Sequence, residues 1–281
     1  MKKAIQIAYN KGFEKRCEYA AIAGFKYISV NFNDMPDRSP MVWAQAPENI
    51  LRILEKNGLA CIQTHLPYYD LRISAEVTDD ELEKAIINSL KVAGEIGAQW
   101  NVYHPRAAVK AGFCASKTLD ENIRRISGYL EAAEKYGTGI ALENLPIFKD
   151  IIPIMPFYPN NYGDLCELSD SFKSDSVGIC WDTGHANLMD INQAEAIRYM
   201  GERIKVTHIH NNFKLYDLHL TPDNGNIDWK SVMSAMADVE YGGPLTLETH
   251  CLYDDDMLLR AFAKYNFECL KFLERLKGKM K

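Results

Sequence analysis

Short apolar runs alternate with stretches of helical periodicity along the whole chain, and the alternation repeats eight times. The runs are Ala4 to Ala8, Tyr27 to Phe32, Leu59 to His65, Trp100 to His104, Gly139 to Leu145, Val177 to Asp182, Ile204 to His210 and Leu245 to His250. A helix through Tyr19 and Ala23 is predicted after the first run, and one near Glu48 to Asn57 after the second, beyond a proline-rich loop. Further on, Leu82, Ile86, Leu90, Ala93 and Ile96 recur at helical spacing, as do Leu119, Ile123, Ile126, Leu130 and Ala133. Leu258, Ala261, Tyr265, Cys269, Phe272 and Leu276 repeat the pattern near the end of the chain. Thr78-x-x-Glu81 and Thr118-x-x-Glu121 read as capping boxes that open helices. Gly58, Gly97 and Gly137 stand just before strands, where a helix needs a left-handed stop.

Strict alternation of strand and helix predicts a parallel sheet, and eight units predict its closure into a (β/α)8 TIM barrel, one domain over residues 1–281. An open doubly wound sheet would want a glycine-rich phosphate turn after the first strand, and Tyr9-Asn10-Lys11-Gly12-Phe13 is a poor one. The long loops 33–46, 66–78, 105–116, 146–160 and 211–227 all follow strands, on the face where such barrels carry their chemistry. At 281 residues and 47% hydrophobic composition the chain can bury a large core. A net charge of −6 gives no global basic surface for nucleic acid. The opening segment is too short and polar for a signal peptide, and no apolar run approaches ~18 residues. A cytoplasmic protein without a membrane segment is the expectation. The seven cysteines are scattered without a CxxC pair, which predicts reduced core thiols and neither a disulfide frame nor a zinc finger.

The histidines change the picture. Six of the seven, 65, 104, 185, 208, 210 and 250, lie at or within a few residues of a predicted strand end; His219 lies in the loop after the seventh. A lone buried histidine is usually structural, but here the whole set converges on one face. Carboxylates join it: Glu143 and Glu248 inside apolar strands, Asp182 at the end of the sixth, and Asp217 beside His219. An acid inside a buried strand is costly unless paired or metal-bound. Imidazole and carboxylate together suit zinc or manganese, with magnesium, cobalt or iron also compatible, whereas calcium prefers oxygen alone. Side-chain alternation places Val206, His208 and His210 on one face, so either histidine could be the ligand and the other a support.

The ordered series THLPY, YHP, ALEN, WDTGH, HIHNN, DLHLTPDNGNIDW and LETH resembles the xylose isomerase-like TIM-barrel superfamily, which holds sugar isomerases, sugar epimerases and the endonuclease IV group. For the isomerase and epimerase branches the resemblance implies one divalent metal held by Glu143, Asp182, a strand-seven histidine and Glu248. The family's histidine stands three positions before an acidic residue, which fits His208 with Asn211 better than His210 with Phe213. The two glutamates would also move the substrate proton, and His185 would contact the sugar. The endonuclease IV branch uses a three-zinc set whose extra ligands match His65, His104, His185, Asp217 and His219. Three departures weigh against DNA repair. The loop between His208 and Asp217 is short, Asn211 replaces an acid, and Asp223-Asn224-Gly225 lacks its first glycine.

Two functions follow. The first is isomerisation or epimerisation of a small sugar or sugar phosphate by proton transfer beside a metal-polarised carbonyl, catalysed by Glu143 and Glu248. His185, His65, Trp181 and Arg106 are its candidate substrate contacts, and Trp43, Phe32 and Tyr68 could wall the pocket. The alternative is zinc-assisted cleavage of abasic DNA or another phosphoester, for which Arg38, Arg72, Arg106 and Lys110 supply loop charge. A non-catalytic barrel would leave many strand-end polar groups unsatisfied. A homo-oligomer is a family-level expectation. Asp254, Asp255 and Asp256 read as a helix N-terminus, not as a second metal site.

Overall fold

The computed structural model describes residues 1–35, 37–68, 79–106, 115–146 and 158–278. Eight parallel strands close into a barrel in sequence order: β1 (Lys3–Ala8), β2 (Tyr27–Asn31), β3 (Ala60–His65), β4 (Trp100–Tyr103), β5 (Gly139–Glu143), β6 (Val177–Asp182), β7 (Ile204–Ile209) and β8 (Leu245–Leu247). The seam is closed by β1 on β8, through Lys3↔Leu245, Ala4↔Thr246 and Ile5↔Leu247. Helices α1 (Phe13–Ala23), α2 (Pro40–Asn57), α3 (Asp79–Glu95), α4 (Ala115–Lys135), α5 (Tyr162–Asp170), α6 (Thr183–Leu188), α7 (Gln193–Met200), α8 (Trp229–Asp238) and α9 (Asp256–Gly278) connect the strands. The expected TIM barrel is therefore the fold.

Strand alternation divides the core in two. Side chains such as Ile28, Val30, Ile140, Leu142, Ile179, Trp181 and Leu247 face the helical layer and form the main core with Ile50, Ile86, Leu90, Ile126 and Leu270. Val102, Ala141, Cys180 and Val206 form a separate small cluster. Ala141, Cys180 and Val206 each stand two positions before Glu143, Asp182 or His208, so they share the inward face with those polar residues. On β4 to β7 the barrel axis is thus filled by small apolar groups, with ionisable ones above them.

Two sequence expectations change. The proline-rich stretch before Glu48 is helix, because α2 begins at Pro40 after the N-cap Ser39, and its first turn accepts a residue with no N–H. Thr118 does not cap a helix: it is buried inside α4, while Glu121 pairs with Arg125 one turn on at 3.1 Å. Thr78 lies outside the described residues, as do Arg72, Lys110 and Cys114. Gly58, Gly97 and Gly137 take the left-handed conformation, at φ 61°, 77° and 70°. The six described cysteines are free thiols. Asp255 accepts the Leu258 N–H at 2.9 Å and Lys15 pairs with Asp256 at 2.9 Å, so the acidic run opens α9 as read. Among the described residues no helix is long and apolar enough to cross a membrane.

Helix α8 shows how a loop is tied to the barrel. Asp228 accepts the backbone N–H groups of Lys230 and Ser231 and the Ser231 hydroxyl. The Ser231 hydrogen bonds hold this carboxyl below its ordinary range. Asp228→Ala should cost about 1 kcal/mol in urea unfolding near neutral pH. A depressed carboxylate stabilises only while ionised, so the difference from wild type should close as pH falls through the folded-state value.

Candidate functional site

From β3 onward each strand delivers an ionisable side chain to the C-terminal mouth of the barrel. His65 ends β3, His104 follows β4, Glu143 ends β5, Asp182 ends β6, His208 lies in β7 and Glu248 follows β8. His185 comes from α6, His210 from just past β7, and Asp217 and His219 from the loop before α8. Glu143, Asp182, His208 and His210 are 0% exposed. The mouth therefore holds four carboxylates and six imidazoles at close range. Among the described residues no lysine or arginine pairs with Glu143, Asp182, Asp217 or Glu248; their ion-pair partners are all histidines.

His208 sits at the centre. Its Nδ1 is 3.0 Å from Glu143 Oε1, 3.1 Å from Glu248 Oε2 and 3.8 Å from Asp182 Oδ2. One ring nitrogen carries at most one proton, so it cannot satisfy three carboxylates. On one side, His104 Nε2 lies 2.8 Å and His65 Nε2 3.5 Å from Glu143 Oε2, and the two nitrogens are 3.1 Å apart. Glu143 Oε2 is nevertheless buried without accepting a hydrogen bond. On the other side, Asp217 Oδ2 lies 3.3 Å from His185 Nε2 and 3.2 Å from His219 Nε2. His210 Nε2 contacts both Asp182 oxygens at 3.0 Å, and its ring stacks on His219 at 4.2 Å.

The backbone around these groups is fixed by short-range chemistry. Asp182 caps α6 by accepting the His185 N–H at 2.6 Å. Asn144 clamps the same turn: it accepts the Asp182 N–H at 2.8 Å and donates to the Asp182 carbonyl at 2.9 Å. Its own carbonyl meets His185 Nδ1 at 2.9 Å, which turns Nε2 of that ring toward Asp217. The Thr183 hydroxyl donates to the His210 carbonyl at 2.9 Å, tying β6 to the end of β7. Gly184 leaves room for His210: a Cβ there would stand 1.8 Å from His210 Cε1.

Electrostatics follow from burial and this pairing. Burial opposes ionisation of Glu143, yet His208 and His104 hold its carboxyl well below the usual range. Glu248, also opposed by burial, is held low by His208 and then His219. Burial opposes charge on His208, but Cys180, Glu248 and Glu143 outweigh it and raise the imidazole well above its ordinary value. His219, likewise opposed by burial, is raised to about 9, chiefly by Asp217. The carboxylates thus demand positive charge, which protons on histidine supply in a metal-free chain.

A divalent cation fits this demand better. Ligands about 2.1 Å from one ion lie roughly 3–4 Å apart, which is the spacing around His208. Donor triads with ligand atoms within 4.8 Å of one another include His65, His104 and Glu143; His65, His208 and Glu248; Asp182, His185 and His210; and His210, His219 and Glu248. Glu143 Oε2 and Asp217 Oδ1 are buried without hydrogen-bond partners, as such a role leaves them.

All ten candidate ligands thus come together. Between the two strand-seven histidines, the structure places His208, not His210, between the glutamates. His250 stays at the edge, its ring 4.5 Å from His219. Tyr68 stacks on His104 at 4.3 Å and so walls the site. Trp181 does not: it faces the helical layer, where its indole N–H meets Gln193 Oε1 at 3.3 Å. Odd and even residues of β6 face opposite ways, and Asp182 takes the inward place. Trp43 and Phe32 pack on each other at 5.7 Å in the same outer core. The charge of Arg106 acts on the Tyr103 and Tyr129 phenols, on the α4 side of β4. Three residues escaped the sequence reading: Asn144, Gln6, which donates to Glu248 Oε1 at 2.7 Å, and Thr183. Gln6 had a signal, a polar residue inside the apolar run of β1; the others had none without the geometry.

Comparison with known proteins places this arrangement. An uncharacterized protein of Methanocaldococcus jannaschii is 29% identical over 217 residues, 74% of this chain and 72% of that protein. A D-psicose 3-epimerase of Enterocloster bolteae is 27% identical over 127 residues, covering 45% of this chain and 38% of the enzyme. The crystal structure of a D-tagatose 3-epimerase-like protein superposes with a TM-score of 0.75 at 22% identity, over 99% of each chain. The family model for the xylose isomerase-like TIM barrel matches residues 17–265, and the chain belongs to that family.

Proposed function

We propose that this chain is a divalent-metal-dependent isomerase or epimerase of a small sugar or sugar phosphate, acting by proton transfer at the carbon beside a carbonyl. The observation that carries the reading is the meeting of Glu143, Asp182 and Glu248 on one nitrogen of His208, at 3.0, 3.8 and 3.1 Å. These four residues would hold the ion, zinc or manganese by the chemistry of the donors. When bound, it would draw electrons from a substrate carbonyl and so acidify the neighbouring carbon.

The chain's own residues do the rest. One of Glu143 and Glu248 takes the proton from the carbon as a carboxylate. For epimerisation the other, having first taken up a proton from solvent, returns it to the opposite face; for isomerisation the first glutamate gives its proton back to the adjacent carbon. Glu143 turns both oxygens toward imidazoles, whereas Glu248 keeps Oε1 away from His208. Glu248 Oε1 is instead held by the Gln6 amide at 2.7 Å. His65 and His185 flank the pair and would be the contacts to substrate hydroxyls, and Tyr68 closes one side. The names of the D-psicose 3-epimerase and the D-tagatose 3-epimerase-like protein support a ketose as substrate.

The test has two parts. Elemental mass spectrometry on protein purified without chelator should find bound zinc or manganese. Incubation with D-psicose, D-tagatose or D-fructose in D2O should introduce deuterium beside the carbonyl, seen by NMR. Absence of metal even after reconstitution would overturn the reading.

Zinc-assisted phosphoester cleavage is the second reading, favoured by one feature: His185, Asp217 and His219 form a further donor cluster beside the first. Asp217→Asn separates the two. If one ion at His208 suffices, deuterium exchange should fall by less than about tenfold, because only a neighbouring group is altered. Loss of metal and of phosphodiesterase activity together would move the assignment to the multinuclear hydrolase.

A further inference from the structure

The interior of the barrel is polar on one side only. Below the donor cluster, β4 to β7 contribute Val102, Ala141, Cys180 and Val206. On β1, β2 and β3 the corresponding places hold Gln6, Ser29 and Gln63, which are register neighbours through Gln6↔Ser29 and Ser29↔Gln63. Thr246 of β8 donates to Gln63 Oε1 at 2.8 Å. Gln6 Oε1, Ser29 Oγ and Gln63 Nε2 are buried without hydrogen-bond partners. A buried amide costs free energy that an apolar residue would not, so this layer calls for a reason.

Gln6 supplies one. Its Nε2 donates to Glu248 Oε1 at 2.7 Å, across the seam that closes the barrel. The amide orientation is not ambiguous, because an ionised carboxylate accepts only from the NH2 end. Glu248 is thereby divided: Oε1 belongs to Gln6, and Oε2 faces His208 at 3.1 Å. Glu143 has no such partner. Its Oε1 meets His208 at 3.0 Å and its Oε2 meets His104 at 2.8 Å.

We propose that Gln6 is a positioning residue for Glu248, holding one carboxylate oxygen so that only the other is presented to a cation bound at His208. The proposal rests on the metal-dependent reading above. It makes the two glutamates unequal: Glu143 reaches toward two donor clusters with its two oxygens, while Glu248 is a one-oxygen ligand whose second oxygen is set by the β1 amide. Ser29 and Gln63 form the polar floor beside that amide and make no hydrogen bond to either glutamate.

Mn2+ is the probe, titrated into the metal-free full-length protein and followed by electron paramagnetic resonance. Gln6→Met keeps the volume and removes the donor; Gln6→Asn keeps the amide but withdraws it by one methylene. Both should bind Mn2+ about 10–100-fold more weakly, the usual effect of losing a support behind a ligand, and change the spectrum of the bound ion. Gln63→Met, in the same floor, should bind Mn2+ like wild type even if its Tm falls. Folded Gln6→Met or Gln6→Asn protein with wild-type affinity and spectrum would overturn the assignment, as would equal losses in the Gln6 and Gln63 variants, which would mark a floor role only. Wild-type protein that takes up no Mn2+ would overturn the metal reading and this inference with it; wild-type uptake beside unaffected Gln6 variants would overturn the inference alone.

Discussion

Glu143→Gln should abolish proton exchange, with a loss on the order of 10²–10⁴-fold expected for removal of a general acid–base and a further loss from metal depletion. Both oxygens of this side chain are engaged, Oε1 by His208 and His185, Oε2 by His104 and His65. Glutamine keeps the shape but replaces one acceptor with a donor aimed at imidazole nitrogens. The two consequences separate experimentally. Metal content measures the ligand role, and deuterium incorporation under saturating metal measures the proton role. Glu248→Gln should lose exchange comparably but retain more metal, because its second oxygen meets the Gln6 amide, whereas that of Glu143 meets a further donor histidine, His104. Near-normal exchange in both variants would sink the assignment of the proton-transfer pair. Metal-free wild-type protein should also be less stable, since four buried carboxylates then rely on histidine protons. A hundredfold excess of ion over its Kd should add about 2.7 kcal/mol.

The architecture was legible because its causes are local and repetitive. Eight apolar runs separated by helical spacing leave few alternatives to a closed barrel, and β6, Val177–Asp182, matches its predicted bounds. The chemistry was legible because Glu143 and Asp182 violate the apolar rule of their strands, and such a violation needs a partner. Register was not. Trp181 sits beside Asp182, so one of the two had to face away, and only the inward carboxylate shows which. The choice between His208 and His210 was likewise left open, because parity puts both on one face; His210 lies past the end of β7, and its ring is set by Asp182 and His219, not by the strand. The helical start at Pro40 was hidden by a local rule that reads prolines as loop, although the first turn of a helix is where proline does least harm.

Gly184→Ala should be among the most damaging single methyl additions in the protein, although no glycine conformation is at stake. A Cβ at this position would lie 1.8 Å from Cε1 and 2.2 Å from Nδ1 of His210. A flexible side chain could swing aside, but this ring is fully buried, bonded to Asp182 at 3.0 Å and stacked on His219 at 14° between planes. The neighbours must move instead, and overpacking of this kind costs about 1–3 kcal/mol. Asp182 is also the N-cap of α6, so a displaced His210 disturbs the carboxylate that joins Glu143 and Glu248 around His208. Weaker metal uptake should therefore accompany the lower Tm. Combining Gly184→Ala with His210→Ala tests the cause. If the clash is with the ring, the double variant should lose less stability than the sum of the singles, the sign of coupling between residues in contact. Additive losses would mean that Gly184 is required by the turn of α6 itself, and that His210 owes its place to something other than the space this glycine leaves.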